Sequence, residues 1–190
     1  MPYNAYLPQK KQIEKFQHQA RSTKRQYVSG ETLFIWGKQY YLSFQPNSQK
    51  NGFEIKGDKV ILSMREESTV KQRENYVREQ YRILLKAEIE RLLPKWERLT
   101  ELYCDSWQTK YMLTRWGTCN TEKKKLWFNL QLAQKPIECL EYVILHDLLH
   151  LKERTHNSVF ISYMDLYMKD WRAVRKELND LRLDYYNTVE

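Results

Sequence analysis

Three of the chain's four histidines lie in one short run, HDLLHLKERTH, from His146 to His156. His146 and His150 stand four residues apart. On a helix that spacing puts both imidazoles on one face, one turn apart, where they can reach a single ion. His156 lies six residues beyond His150, so a straight helix would carry it off that face. The chain must therefore bend near Arg154 and Thr155 to bring it back. Three neutral imidazoles with an open fourth position form a catalytic type of zinc site. Zn2+ is the expected ion, although the same donors suit other divalent metals. The chain has no CxxC pair, which removes a cysteine-based structural site.

An HxxxH pair alone is often a coincidence of helix faces, capping or core hydrogen bonds. Here an acidic residue directly follows the first histidine, and a third histidine follows at a zincin spacing. In a helical HExxH zinc hydrolase the metal acidifies a water, and the glutamate takes its proton and passes it to the leaving group. In this chain Asp147 holds the glutamate's position. It keeps the charge on a shorter side chain, and its carboxylate stands about 1–1.5 Å further from a water placed for glutamate. Asp147 is thus the candidate general base. Its plainer readings are an exposed helix residue or a hydrogen-bond partner of a ligand histidine.

The ligands need a helix anchored in a core, and the flanking pattern supplies one. Ile137, Leu140, Ile144, Leu148 and Leu151 form an apolar stripe after Pro136. A second helix is expected from Asn157 or Ser158, both good N-cap types, with Phe160, Tyr163, Met164 and Tyr167 as its apolar positions. A third follows Asp170, with Trp171, Val174, Leu178 and Leu181. Upstream, a long helical pattern starts near Ser68 and runs through Val77, Tyr81, Leu84, Leu85, Leu92, Trp96 and Leu99. Pro94 is expected to kink or end it.

The remaining elements read as strands. Residues 32–44 form a hairpin about Gly37-Lys38, and FEIKG and KVILSM form another about Gly57-Asp58. Residues 111–116 and 126–132 read as strands joined by a polar turn, GTCNTEKKK. A short helix is expected around Ile13, Phe16 and Ala20. Strands, a long helix, strands and then helices make an α+β order rather than alternating βαβ. The expected fold is a small antiparallel or mixed sheet with a long scaffold helix and a metal-binding helix.

A length of 190 residues suits one domain. Residues 1–29 read as a basic segment belonging to it, and 30–190 as the metal-dependent hydrolase domain. No run approaches the ~18 apolar residues of a membrane span. The opening MPYNAYLPQKKQIEKF lacks the apolar stretch of a signal peptide. Cys104, Cys119 and Cys139 are too scattered for a disulfide framework and read as reduced thiols in the cytoplasm. The net charge of +8 attracts anionic partners. A nucleic-acid surface and a merely solvated basic surface are both compatible with it, and no nucleic-acid module motif is present.

RWGTC at residues 115–119, then LWFNLQL, then YVILHDLLHLKERTHNSVF together resemble the YgjP-like metallopeptidase family, relatives of the SprT and WLM zincins. Residues 27–42 look like that family's entry hairpin. RENYVREQYRILLKAEIERLL looks like its scaffold helix, and DWRAVRKEL like its C-terminal helix. The resemblance implies a zincin-like core, with His146, His150 and His156 as zinc ligands and Asp147 in place of the catalytic glutamate. It also gives Glu153 a supporting role and puts Thr118 where the family has serine. By resemblance to zincins, LWFNLQL is the candidate edge strand of the cleft, to which a peptide can add as a further strand. Arg115 and Trp116 are candidate cleft residues. The guanidinium can bind a carboxylate or phosphate, or pair with a core acid. The alternative for Trp116 and Cys119 is core packing, with Gly117 making a turn.

Three functions compete. The first is a zinc-dependent peptidase acting through activated water. The second is the same site acting on the phosphoanhydride of a nucleotide. The third is a zinc-holding module, weakened in catalysis, that binds nucleic acid through its basic surface.

Overall fold

A computed structural model describes residues 24–47 and 49–181. The expected helix around Ile13 to Ala20, and most of the basic segment, lie outside the described residues. Within them the chain is α+β, with four helices and two small mixed sheets.

The first sheet starts with β1 (Thr32–Ile35) and β2 (Lys38–Pro46), an antiparallel hairpin. Its turn is Trp36-Gly37, one residue earlier than expected. Both residues take positive φ, 51° and 78°. Two left-handed residues suit the twist of a two-residue hairpin turn. Gly37 is needed twice over, because a Cβ there would also stand 2.9 Å from Cγ of Pro136. The tip docks on the segment that leads to the histidines: Trp36 N–H donates to the Ala133 carbonyl at 2.9 Å, and Gly37 N–H to Gln134 at 3.3 Å.

The second hairpin, β3 (Gly52–Lys56) and β4 (Lys59–Met64), turns at Gly57 with φ 61°. β4 inserts beside β2, and the two run parallel, giving the order β1-β2-β4-β3. Leu33, Ile35, Leu42, Val60, Leu62 and Met64 form the buried face. These alternate with exposed or half-buried residues, as a sheet covered on one side requires.

Helix α1 (Val70–Thr100) begins in a capping box. Thr69 Oγ1 accepts from Gln72 N–H, and Gln72 Oε1 accepts from Thr69 N–H. Pro94 neither ends the helix nor breaks the apolar stripe. It sits on the exposed face, one turn after the exposed Glu90, where a lost intrahelical hydrogen bond costs least. Val77, Tyr81, Leu85, Leu92 and Trp96 are buried, together with Ile89 and Leu93, whereas Leu99 is exposed.

The second sheet departs most from expectation. Residues 111–116, expected as a strand, form a loop. The strand before them is β5 (Ser106–Lys110). Gly117–Asn120, expected as part of a polar turn, is strand β6, and the turn shortens to residues 121–124. Strand β7 (Lys125–Asn129) ends at Asn129, and Leu130–Gln134 coils into a 3-10 helix. The order is β5-β7-β6, with β5 parallel and β6 antiparallel to β7.

Three helices complete the chain: α2 (Ile137–Leu149), α3 (Ser158–Tyr167) and α4 (Trp171–Asp180). Leu140, Ile144 and Leu148 of α2 are fully buried. At about 1.5–3 kcal/mol for each such side chain, this stripe is what fixes the helix in the core. Asn157 caps α3 by accepting from Phe160 N–H at 3.0 Å. No helix among the described residues is long and apolar enough to cross a membrane.

Candidate metal centre

His146 lies in the last turn of α2, and His150 caps its C-terminus. The chain then bends through residues 151–157, starting earlier than Arg154. The His150 imidazole donates through Nδ1 to the Glu153 carbonyl at 3.1 Å, which leaves Nε2 as its acceptor nitrogen. Glu153 also shapes the bend with its side chain, whose Oε1 accepts from both the backbone N–H and the hydroxyl of Thr155. The bend returns His156 to the histidine face of α2.

The ring centroids of the three histidines stand 4.6 to 4.9 Å apart, and one nitrogen from each lies within 4.8 Å of the others. His146 Nε2 and His156 Nε2 approach to 2.8 Å. His146 Nδ1 is engaged by Asp147 Oδ1 at 3.0 Å, so its Nε2 is the nitrogen left to accept. Two imidazole nitrogens turned toward each other suit a shared cation. Phe160 of α3 lies under all three rings, with centroids 4.7 to 5.3 Å away. This apolar floor fixes ring orientation without competing for the ion. The donor set fits a divalent metal.

The electrostatics agree. Burial holds the His146 imidazole down to about 4, with Arg175 adding to the effect. Burial, the other two histidines and Arg175 bring His156 to about 4 as well. His150 is lowered by burial and by His146. All three are therefore neutral, ligand-ready imidazoles at ordinary pH.

Asp147 is buried, 2% exposed, rather than on an outer helix face. Burial pushes its carboxyl up to about 7, while His150 and then Arg115 pull the other way. Oδ2 has no hydrogen-bond partner among the described residues. It points at Gly117 of β6, where a Cβ would collide with Oδ2 and with Val143 Cγ1. Gly117 therefore makes no turn. It is the strand position that leaves room for the acid of the metal helix.

β6 is one of the two edges of its sheet, and the one packed on α2, whereas LWFN belongs to the central strand β7. The strand available beside the metal helix is thus GTCN. Trp116 is buried in the core, with the Lys135 ammonium 5.8 Å over its ring. Arg115 is exposed, and its charge reaches Asp147. Burial and the charge of Asp147 push the Cys119 thiol up to about 12, which makes it an unreactive packing residue.

The sequence reading overlooked Asn129. It is fully buried, donating to the carbonyls of Met112 and Arg115 at 2.9 and 2.6 Å and accepting from the amides of Met112 and Gln131. One side chain thereby satisfies the backbone of the loop that carries Arg115 and Trp116. Asn129→Ala is expected to lower stability by about 2–4 kcal/mol, since buried backbone groups lose their partners. Urea unfolding measures it. A loss below about 0.5 kcal/mol would mean the loop is held by something else.

The metal-free chain should gain stability as pH rises from about 4 to 6.5. Across that window unfolded histidines bind protons that the three folded ones refuse, which favours the native state as pH rises. Asp147 opposes the trend, because its raised value makes the folded state hold a proton that the unfolded chain gives up. Three groups act against one, so the net slope is positive. Urea midpoints in chelator at pH 4.5 and 6.5 provide the check, and a flat or falling midpoint would contradict neutral imidazoles.

Two small mixed sheets, a long scaffold helix, and a helix whose last turn and following bend bring three histidines together beside a strand edge are consistent with a zincin-like fold. The model of the YgjP-like metallopeptidase domain matches residues 9–181, and the chain belongs to that family. No curated protein matches the chain.

Proposed function

We propose that the protein is a zinc-dependent hydrolase of peptidase type, with His146, His150 and His156 as the ligands and Asp147 as the proton-transferring group. The observation that carries this reading is the convergence of three imidazole nitrogens beside a buried carboxylate with a free oxygen. Bound there, zinc supplies a Lewis acid that polarises a carbonyl and acidifies water. Asp147, raised to about 7, takes a proton near neutral pH and returns it to the leaving amine. Its Oδ1 holds His146 in the tautomer that presents Nε2.

An extended peptide pairing with the edge of β6 lies across this site, and its backbone hydrogen bonds set the scissile bond in register. Arg115 precedes that edge, has no carboxylate partner within salt-bridge distance among the described residues, and is placed to receive a substrate anion. The three cysteines are free thiols, in keeping with a reducing, cytoplasmic setting.

The test is metal content and peptide hydrolysis on one preparation. Near one zinc per chain, with cleavage of a quenched peptide library that chelator abolishes and zinc restores, is the expected result. Zinc without cleavage of any peptide would overturn the peptidase reading. Phosphate or pyrophosphate release from nucleoside triphosphates by the same sample would move the assignment to phosphoanhydrides, and labelled RNA or DNA tests the basic surface.

A further inference from the structure

Beside the metal centre stands a cation that the proposed chemistry does not use. Tyr142 lies one turn before His146 on α2, with its ring 5.7 Å from the imidazole. Trp171, the first residue of α4, stacks parallel to Tyr142 at 6.4 Å, within 3° of coplanar. This stack docks α4 against the histidine end of α2. The inward stripe of α4 is Trp171, Val174 and Leu178, all buried. Arg175 lies four residues after Trp171 and three before Leu178, within that stripe by helical spacing, and yet it is exposed. The stripe therefore opens to solvent at Arg175, one turn after the stacked Trp171.

The other cations of α4 are engaged. Arg172 pairs with Asp165, and Lys176 with Asp180. Among the described residues, the Arg175 guanidinium has no carboxylate partner. Its charge is nonetheless felt at His146, His156 and the Tyr142 phenol. A fixed positive charge close to a cation site opposes metal binding unless an anion lies between them. An arginine fork matches a carboxylate with two parallel hydrogen bonds.

We propose that Arg175, one helical turn beyond the Trp171 that stacks on Tyr142, receives a carboxylate of the substrate and makes the site selective for acidic peptides. This rests on the hydrolase reading, but its test does not need turnover. The carboxylate comes either from an acidic side chain or from the C-terminus of the peptide, and the probes separate the two.

Calorimetric titrations of the zinc-loaded full chain compare N-acetylglutamine, N-acetylglutamate α-amide and N-acetylglutamine amide. The first carries only an α-carboxylate, the second only a side-chain carboxylate, and the third neither. At least one acid is expected to bind about 10- to 100-fold more tightly than the neutral amide, the range of one charge-assisted pair. Arg175→Ala should abolish the difference, Arg175→Lys should keep part of it, and Arg172→Ala should leave it intact. On matched Glu and Gln peptides the Arg175→Ala loss should fall on KM rather than kcat.

Equal affinity for acid and amide would overturn the proposal. So would an acid that binds Arg175→Ala as tightly as the native chain, since the carboxylate would then sit on the metal alone. Absence of peptide cleavage beside an Arg175-dependent acid preference would instead remove the hydrolase reading and leave this subsite standing.

Discussion

His150→Ala is expected to strip the metal from the protein. Losing a supporting hydrogen-bond partner of a ligand costs roughly 10- to 100-fold in metal affinity. Losing one of three protein ligands should exceed that, and the chain should purify with little zinc. The structure gives His150 two anchors, its hydrogen bond to the Glu153 carbonyl and its stack on Phe160 at 4.9 Å. The substitution therefore also leaves a gap above Phe160 and lowers stability. His156→Ala separates the two effects. His156 is the exposed member of the trio and contributes less to packing, so its loss should release the metal with a smaller change in unfolding midpoint. Metal mass spectrometry and competition with a chromophoric chelator measure both. Stoichiometric zinc in both variants would mean that the ion is held elsewhere.

The second large effect is at Asp147. Asp147→Asn keeps the shape and removes the base, so kcat should fall by about 10²- to 10⁴-fold with metal retained. The pH profile gives a sharper reading. With the carboxyl raised to about 7, native kcat/KM should fall as pH drops below that value, because the protonated acid cannot accept a proton. That limb should vanish in the residual activity of Asp147→Asn. Asp147→Glu is expected to be faster than the native chain. The longer side chain releases the carboxylate from His146 Nδ1 and carries it past the space that Gly117 leaves open. Gly117→Ala should lower activity in the native chain and in Asp147→Glu alike, because its Cβ would meet the carboxylate of the native chain as well. A slower Asp147→Glu enzyme would show that the site is built around the shorter acid.

The convergence of the three histidines was legible because its signal is local. A spacing of four on an apolar-striped helix needs no knowledge of distant residues, and the α2 and α4 stripes read correctly for the same reason. The second sheet was not legible, because its determinants lie elsewhere. YMLTRW has strand-like residues, but Asn129 takes up the backbone groups that a ladder would use, so the segment stays a loop. GTCN looks like a turn by composition. Its strand conformation comes from pairing with β7 and from the packing of α2 on Gly117. The parallel partnership of β2 and β4 is likewise a property of the assembled sheet. Arg175 gave no signal in sequence, since only the stack of Trp171 on Tyr142 brings α4 near the histidines.

The docking of the first hairpin on the segment before α2 also bears on the order of assembly. Trp36 and Gly37 donate to Ala133 and Gln134, residues far later in the chain, and Gly37 leaves no clearance over Pro136. Such long-range closure is slow to find at random, because the loop entropy is lost before the contact returns anything. During synthesis the hairpin and α1 emerge before the histidine helix exists. The contacts that tie the hairpin tip to the start of α2 can close only once residues 133–136 have followed, which links the placing of the histidine helix to the first hairpin of the described fold.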